Sequence, residues 1–312
     1  MTAYILRRLW QMLPTMLGVI LLVFILFNWV GGDPAYVLAG KMSNPEQIAN
    51  IRRQLGVDQP FYIQLWIFIK QIATFDFGSS WSTGETVSNI LKTRIGPSMT
   101  VLIPLTILET LLAIALALAV AFVRGSFTDR AVMVACTVGM SISILVYIIV
   151  FQYVLGYKLG IFPVQGWGDN VVQNLFRYSL LPILIGLAVS VAPSLRLFRT
   201  FVLDEVNQDY VRTARAKGVS ERRILWVHVL RNAAIPIITY VMSNLPALLI
   251  GAFLIERFFS IPGIGREVIL AVERSDFPVI KAITVYVAAA TMLFNLLTDL
   301  LYQAVDPRVQ LK

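Results

Sequence analysis

The sequence predicts an all-α polytopic membrane protein with six transmembrane helices, cytoplasmic N- and C-termini, a folded outer loop and a cytoplasmic two-helix loop. Three observations carry that reading. Of 312 residues, 57% are hydrophobic and only 14% charged, with a mean hydropathy of +0.75. Soluble domains carry about 45–50% apolar and about 25% charged residues, so too few charges are present to cover a soluble domain of this length. Six apolar runs approach the ~20 residues that a helix needs to cross the bilayer core. The basic residues also fall unevenly between the segments that join those runs, which sets an orientation.

The first run is Leu9–Val30, with no charge in 22 residues. It is too long for the apolar region of a removable signal peptide, about 7–15 residues, and Val30-Gly31-Gly32-Asp33-Pro34 offers no convincing cleavage site. Residues 1–30 therefore read as a cytoplasmic N-terminus and a retained first span. An extracytoplasmic loop follows over 31–98, with turn residues between short amphipathic pieces at Pro45–Leu55 and Phe61–Thr74, so it reads as folded. Trp66, Phe75, Phe77 and Trp81 suit a membrane interface or a docking surface. The remaining spans, within 99–312, are Met99–Val123 (interrupted only by Glu109), Ala131–Gly156, Ser179–Leu195, Ala233–Ile255 and Ala282–Val305. Lipid requires each spanning segment to satisfy its own backbone, so these runs are helices.

With the N-terminus inside, segments 1–8, 124–130, 196–232 and 306–312 hold 14 Lys and Arg against six acids. The outside segments hold 12 against ten, and six of those 12 lie in the 31–98 loop, which is too long to count in topology. The charge therefore sits mainly on one cytoplasmic loop, 196–232, which holds eight of those 14 basic residues and sets topology, with attraction to anionic lipid as a secondary effect. No nucleic-acid motif accompanies it, so no nucleic-acid partner is expected.

Within that loop, over 203–232, the stretch Leu203–Ala216 places apolar or small residues at 203, 206, 210 and 214, one helix face. Asp204, Glu205 and Asp209 come early and Arg212, Arg215 and Lys217 late, complementing a helix dipole. Gly218 stands where a helix ends in a left-handed residue, and Ser220 where a second helix would be capped. The product is two short helices on a tight glycine turn, compact and arginine-rich, suited to a protein partner.

The run Asp209-Tyr-Val-Arg-Thr-Ala-Arg-Ala-Lys-Gly218, with Glu-Arg-Arg and His228-Val-Leu-Arg-Asn-Ala after it, closely resembles the loop of ABC importer permeases, and in particular of their dipeptide/oligopeptide branch. The resemblance extends over almost the whole chain. It includes Tyr4-Ile-Leu-Arg-Arg-Leu, Gly32-Asp33-Pro34, Leu55-Gly56, Asp76-Phe77-Gly78, Phe162-Pro163, Phe259-Ser-Ile-Pro-Gly-Ile-Gly265, Asp276-Phe-Pro, Asn295 to Tyr302 and Asp306-Pro307-Arg308. It implies that Gly218 is the turn that docks into a groove of a cytoplasmic ATPase subunit. Thr213-Ala214 stand where the family has paired alanines. Arg212 replaces a glutamate common in sugar and amino-acid importers, a role that Asp209 or Glu221 can substitute. Coupling is thus expected from Asp209, Arg212, Thr213, Ala214, Gly218, Glu221, Arg222 and Arg223. The implied partners are a second related permease, two ATPase subunits that bind ATP and Mg, an extracytoplasmic substrate-binding protein received by the 31–98 side, and a peptide substrate. The resemblance also implies the plasma (inner) membrane of a bacterium or archaeon as the location. Ser260–Gly265 is expected to turn beneath that docking site before a short outer helix.

Glu109, near mid-span, is either a wall of the translocation path or an interhelical hydrogen-bonding group; a charge there is expensive on insertion scales, at least about 2.5 kcal/mol. Asn295 and Asp299 share one helix face and read as gating or packing groups more than as substrate contacts. Pro182 and Pro193 flank Gly186 and suit either a hinge or a static kink. The single cysteine, Cys136, reads as apolar filler, and the single histidine, His228, lacks metal partners, so neither a disulfide nor a metal site is expected. Gly78-Ser-Ser-Trp-Ser-Thr-Gly84 lacks the lysine of a phosphate loop, so ATP hydrolysis falls to another chain and this one is no enzyme. Substrate class is less fixed: nickel or metallophore complexes, glutathione and oligosaccharides are alternatives to peptides for the same machinery. An ion-driven transporter is disfavoured by the lack of inverted repeats and the presence of only two acids within spans, and an intramembrane enzyme by the absence of any HExxH or partnered nucleophile.

Overall fold

The computed structural model describes residues 2–30, 34–39, 44–246 and 251–305. Gly32-Asp33, Asp306-Pro307-Arg308 and the rest of 306–312 lie outside the described residues. The described chain is helical, and its only strand-like pairing is one antiparallel bridge between Ser79 and Thr86.

Helix α1 (Thr2–Ile25) runs into a π-wound turn, Leu26–Val30, and is followed by α2 (Pro34–Ala39), α3 (Pro45–Leu55) and α4 (Phe61–Thr74). Asn44 and Pro45 start α3, where Gln47 reaches back to the Asn44 amide, and Gly56 at φ +66° ends it. Helix α5 (Val87–Phe122) begins twelve residues before the apolar run at Met99. Its first turns carry Asn89, Lys92 and Arg94, which hid the start; Arg94 is neutralised by Glu267, 3.2 Å away.

Among the described residues, five helices are long and apolar enough to cross a membrane, and a bent pair makes a sixth if counted as one span. That pair is α6 (Phe127–Ser141) and α7 (Ile144–Phe151, continuing π-wound through Lys158), bent by 91°. The uninterrupted helix expected over Ala131–Gly156 is thus broken. Ile142 is extended, Ser143 caps α7 by accepting from the Leu145 amide at 3.3 Å, and Tyr147 Oη donates to the Gly139 carbonyl across the bend.

After α8 (Val171–Gln173) comes α9 (Leu180–Val206), which runs eleven residues past the end of the expected Ser179–Leu195. Pro182 falls in the first turn of α9, where no intrahelical hydrogen bond is lost, whereas Pro193 lies inside the helix. Helices α5 and α9 form the main seam. Ala113, Ala117 and Ala121 are buried against Phe198, Val202 and Val206, small residues letting the backbones approach, and a Cβ on Gly186 would meet Leu105 Cδ2 at 2.6 Å.

Next come α10 (Asp209–Ala216), α11 (Glu221–Arg223, continuing π-wound through Val229) and α12 (Leu230–Asn244). Helix α12 ends at Asn244, and residues 247–250 of the expected Ala233–Ile255 span lie outside the described residues; Gly251 at φ +80° departs from helix, and α13 (Phe253–Phe258) is a separate element. Helices α14 (Ile264–Glu273) and α15 (Phe277–Val305) are the last described elements, with the expected turn before α14 carried by Ser260 at φ +58°.

Candidate functional site

The basic loop is built as a rigid projection. Leu203–Ala216 is not one helix: α9 ends at Val206, and α10 restarts at Asp209 after Asn207 and Gln208. The predicted apolar face is nonetheless turned inward. Val206, Val211, Ile224, Leu225 and Val229 are buried in one cluster with Ala117 and Leu118 of α5 and Phe198 of α9, and Tyr210, Ala214 and Val219 pack on its edge. Tyr210 Oη donates to Glu205 Oε2 at 2.7 Å. Burial, and then that carboxylate, push the phenol up to about 12, so it remains a donor at physiological pH.

Gly218 takes φ +75°, its amide donating to the Arg215 carbonyl at 2.9 Å while the Val219 amide reaches Ala214 at 3.2 Å. Such a left-handed turn closes a helix end without a side chain in the way. Ser220 occupies the first-cap position of α11 in extended backbone, but its hydroxyl makes no capping bond. Arg215 clamps the turn, its Nε and Nη2 donating to Glu221 Oε1 and Oε2 at 2.6 and 3.2 Å. The outward side carries Asp209, Arg212, Thr213, Gly218, Arg222 and Arg223, all exposed, with Arg212 and Asp209 3.3 Å apart. Of the predicted coupling set, only Ala214 is half-buried. The site is therefore an exposed, mostly cationic turn on an apolar footing, which suits a complementary groove and not a small molecule.

The predicted path residues lie apart from this projection. Glu109 is half-buried on α5 beside Ser194 of α9, and its Oε1 makes no hydrogen bond within the described residues. Asn295 is exposed on α15, and one turn on Asp299 pairs with Arg8 of α1 at 2.7 Å.

Two further polar nodes were missed. Asp129, buried at the start of α6, receives both Arg199 Nε (3.0 Å) and Nη2 (2.8 Å) from α9 and the Gly125 amide (3.0 Å). At the other end of the molecule Glu256 of α13 is fully buried. Its carboxylate accepts from Ser98 Oγ (2.8 Å), the Ala252 amide (3.1 Å) and the Arg266 amide (3.0 Å), while Ser98 Oγ accepts from the Ile264 amide (2.9 Å). Burial pushes the Glu256 carboxyl up and the surrounding donors oppose it. Gly251, Gly263 and Gly265 crowd around it: a Cβ on Gly251 would stand 2.7 Å from Glu256 Oε1. This node ties α5, α13 and the start of α14 together. Its only sequence signal is the glycine-rich run up to Gly265 with one acid just upstream.

The chain was compared with known proteins. A family described as binding-protein-dependent transport system inner membrane component matches residues 110–311, and its companion for the N-terminal part of such components matches residues 1–102. The chain is 33% identical over 319 residues to the glutathione transport system permease protein GsiC of Escherichia coli (strain K12), with all of both chains covered. It is 34% identical over 319 residues, again with full coverage, to the protein of that name from Salmonella typhimurium (strain LT2). A probable peptide ABC transporter permease protein, y4tP of Sinorhizobium fredii, is 32% identical over 312 residues, 99% of this chain and 100% of that protein.

Proposed function

Because the chain belongs to the binding-protein-dependent inner membrane transport components and is an ABC importer permease, we propose that its basic turn is the cytoplasmic docking point through which ATP hydrolysis moves it. Membership of this family implies ATPase and substrate-binding components in general. The observation that carries the proposal is the Gly218 turn, exposed, arginine-rich and held in shape by the Arg215–Glu221 clamp over the buried cluster of Val211, Ile224 and Val229. A force on that turn is transmitted through α11 directly into α12, and through packing into α5 and α9.

The termini then lie in the cytoplasm, α2–α4 and α13–α14 lie outside, and a second related permease supplies the other half of the path. Two ATPases bind ATP and Mg, and an extracytoplasmic binding protein delivers cargo. The membrane is the inner membrane of the cell. The role of the chain is a two-state element whose equilibrium is biased by ATP on one face and by loaded binding protein on the other.

The cargo we propose is a short peptide, with glutathione, itself a tripeptide, inside that class. Relatives named for peptide and for glutathione transport stand at nearly equal identity, so the chain favours neither. Reconstitution of the permease pair, the ATPases and the cognate binding protein in liposomes tests this. ATP-dependent uptake of di- to oligopeptides or glutathione is expected. Uptake by the chain alone on an ion gradient, or of nickel complexes or oligosaccharides only, would contradict it.

A further inference from the structure

Lys281 stands on the second turn of α15 with its ammonium 5.7 Å from the ring centre of Phe27 and 5.6 Å from that of Phe68. No acidic side chain pairs with it among the described residues. The acid five residues before it, Asp276, is already engaged by the Ser80 and Ser82 hydroxyls and the Trp81 and Ser82 amides. Aromatic faces attract a cation without supplying a counter-charge.

Lys281 lines a cavity of about 120 Å³ between the end of α1, the middle of α4 and the start of α15. Phe24, Phe27 and Phe68 form its apolar walls. Gln64, also on the wall, spends its amide on the Val57 and Gln59 carbonyls and accepts from Asn28. Gln71 and Trp81 line the same space, and neither side chain is hydrogen-bonded among the described residues. One cation and two unused N–H groups therefore border a small cavity with no acid in its lining, a donor set that fits an oxyanion.

The surroundings select the oxyanion. Helix α4 exposes Tyr62 and Trp66, with Phe75 just beyond it; α1, which packs on α4, exposes Leu21, Leu22 and Ile25, and Leu26 follows at the start of the π-wound turn. Aromatic side chains next to an apolar helix surface mark the headgroup level of a bilayer. We propose that Lys281, Gln71 and Trp81 form a binding site for the phosphate group of a phospholipid, whose acyl chains lie along the exposed faces of α1 and α4. This holds whichever leaflet lies at that end, so it stands apart from the topology proposed above.

The test is native mass spectrometry of the assembled transporter, delipidated and titrated with phosphatidylglycerol. Tight retention of one lipid at this site is expected. Lys281→Met should weaken that binding about tenfold or more, from loss of a charge-assisted contact; Lys281→Arg should keep it, and Trp81→Phe should weaken it less. Millimolar inorganic phosphate should fail to displace the lipid. Equal retention by the wild type and Lys281→Met, or displacement by inorganic phosphate, overturns the proposal. If Lys281→Met does not assemble, Gln71→Leu and Trp81→Phe give the same reading: unchanged lipid affinity in both overturns it.

Discussion

Gly218 adopts φ +75°, and a Cβ built there meets no heavy atom within 4 Å. The cost of a side chain at this position is therefore conformational and not steric. For an L-residue forced into the left-handed region it is about 1–2 kcal/mol, and for asparagine, which tolerates that region, less. If the ATPase grips the preformed turn, apparent affinity falls with the fraction of molecules that keep it, so 1–2 kcal/mol becomes about 5- to 30-fold. The expected order of ATPase affinity is Gly, Asn, Ala, Val, and the melting temperature of the permease should follow the same order with small steps. Binding of purified ATPase subunits to nanodisc-embedded permease measures the first, and differential scanning fluorimetry the second. Gly218→Ala binding ATPase as tightly as the wild type would refute the reasoning. So would Gly218→Asn binding no better than Gly218→Val, since conformation would then not be what sets the affinity.

Three other perturbations probe the scaffold. Asp129→Ala leaves the Arg199 guanidinium uncompensated beside a buried gap and should destabilise by about 3–5 kcal/mol, while a paired Asp129→Leu, Arg199→Met variant should recover most of that loss; chemical denaturation in detergent distinguishes them. Ser98→Ala removes one donor from Glu256 and orphans the buried Ile264 amide, a loss of about 2 kcal/mol or more. Its lowered melting temperature should be accompanied by faster hydrogen exchange over 251–266, and unchanged exchange there would count against the node. Gly251→Ala combines φ +80° with contacts of 2.7 Å to Glu256 and to the Gly265 amide, so it should be more damaging than Gly218→Ala in a thermal melt; equal melting temperatures would contradict the crowding seen at Gly251.

The parts of the fold legible in sequence are those with local punctuation. Helix α3 is announced by Asn44-Pro45 and closed by Gly56, α4 starts immediately after Pro60, and the basic turn is spelled by Arg215, Gly218 and Glu221 within seven residues. What escaped depends on distant partners. The start of α5 is hidden because Arg94 looks like a loop charge until Glu267, remote in sequence, neutralises it. The bend at Ile142 lies in the apolar, small-residue stretch Met140-Ser-Ile-Ser143, which has no breaker such as proline. Glu256 reads as a surface acid by composition, and only the approach of Ser98, Ala252 and Arg266 makes it a buried hub. Of the path candidates, Asp299 is explained by Arg8 at the far end of the chain, while Glu109 retains an oxygen unused by any described residue.

The central claim is that an ATPase grips the turn around Gly218, and proximity tests it most directly. The only native cysteine, Cys136, can be replaced by serine and a single cysteine placed at exposed Lys217, beside the turn. With the full transporter in membranes, this Lys217→Cys variant should cross-link to an ATPase subunit carrying a cysteine at its permease-facing groove, with a yield that changes on ATP binding. Cross-linking to the substrate-binding protein instead, or labelling of the cysteine by impermeant reagents from the extracytoplasmic side, would contradict it.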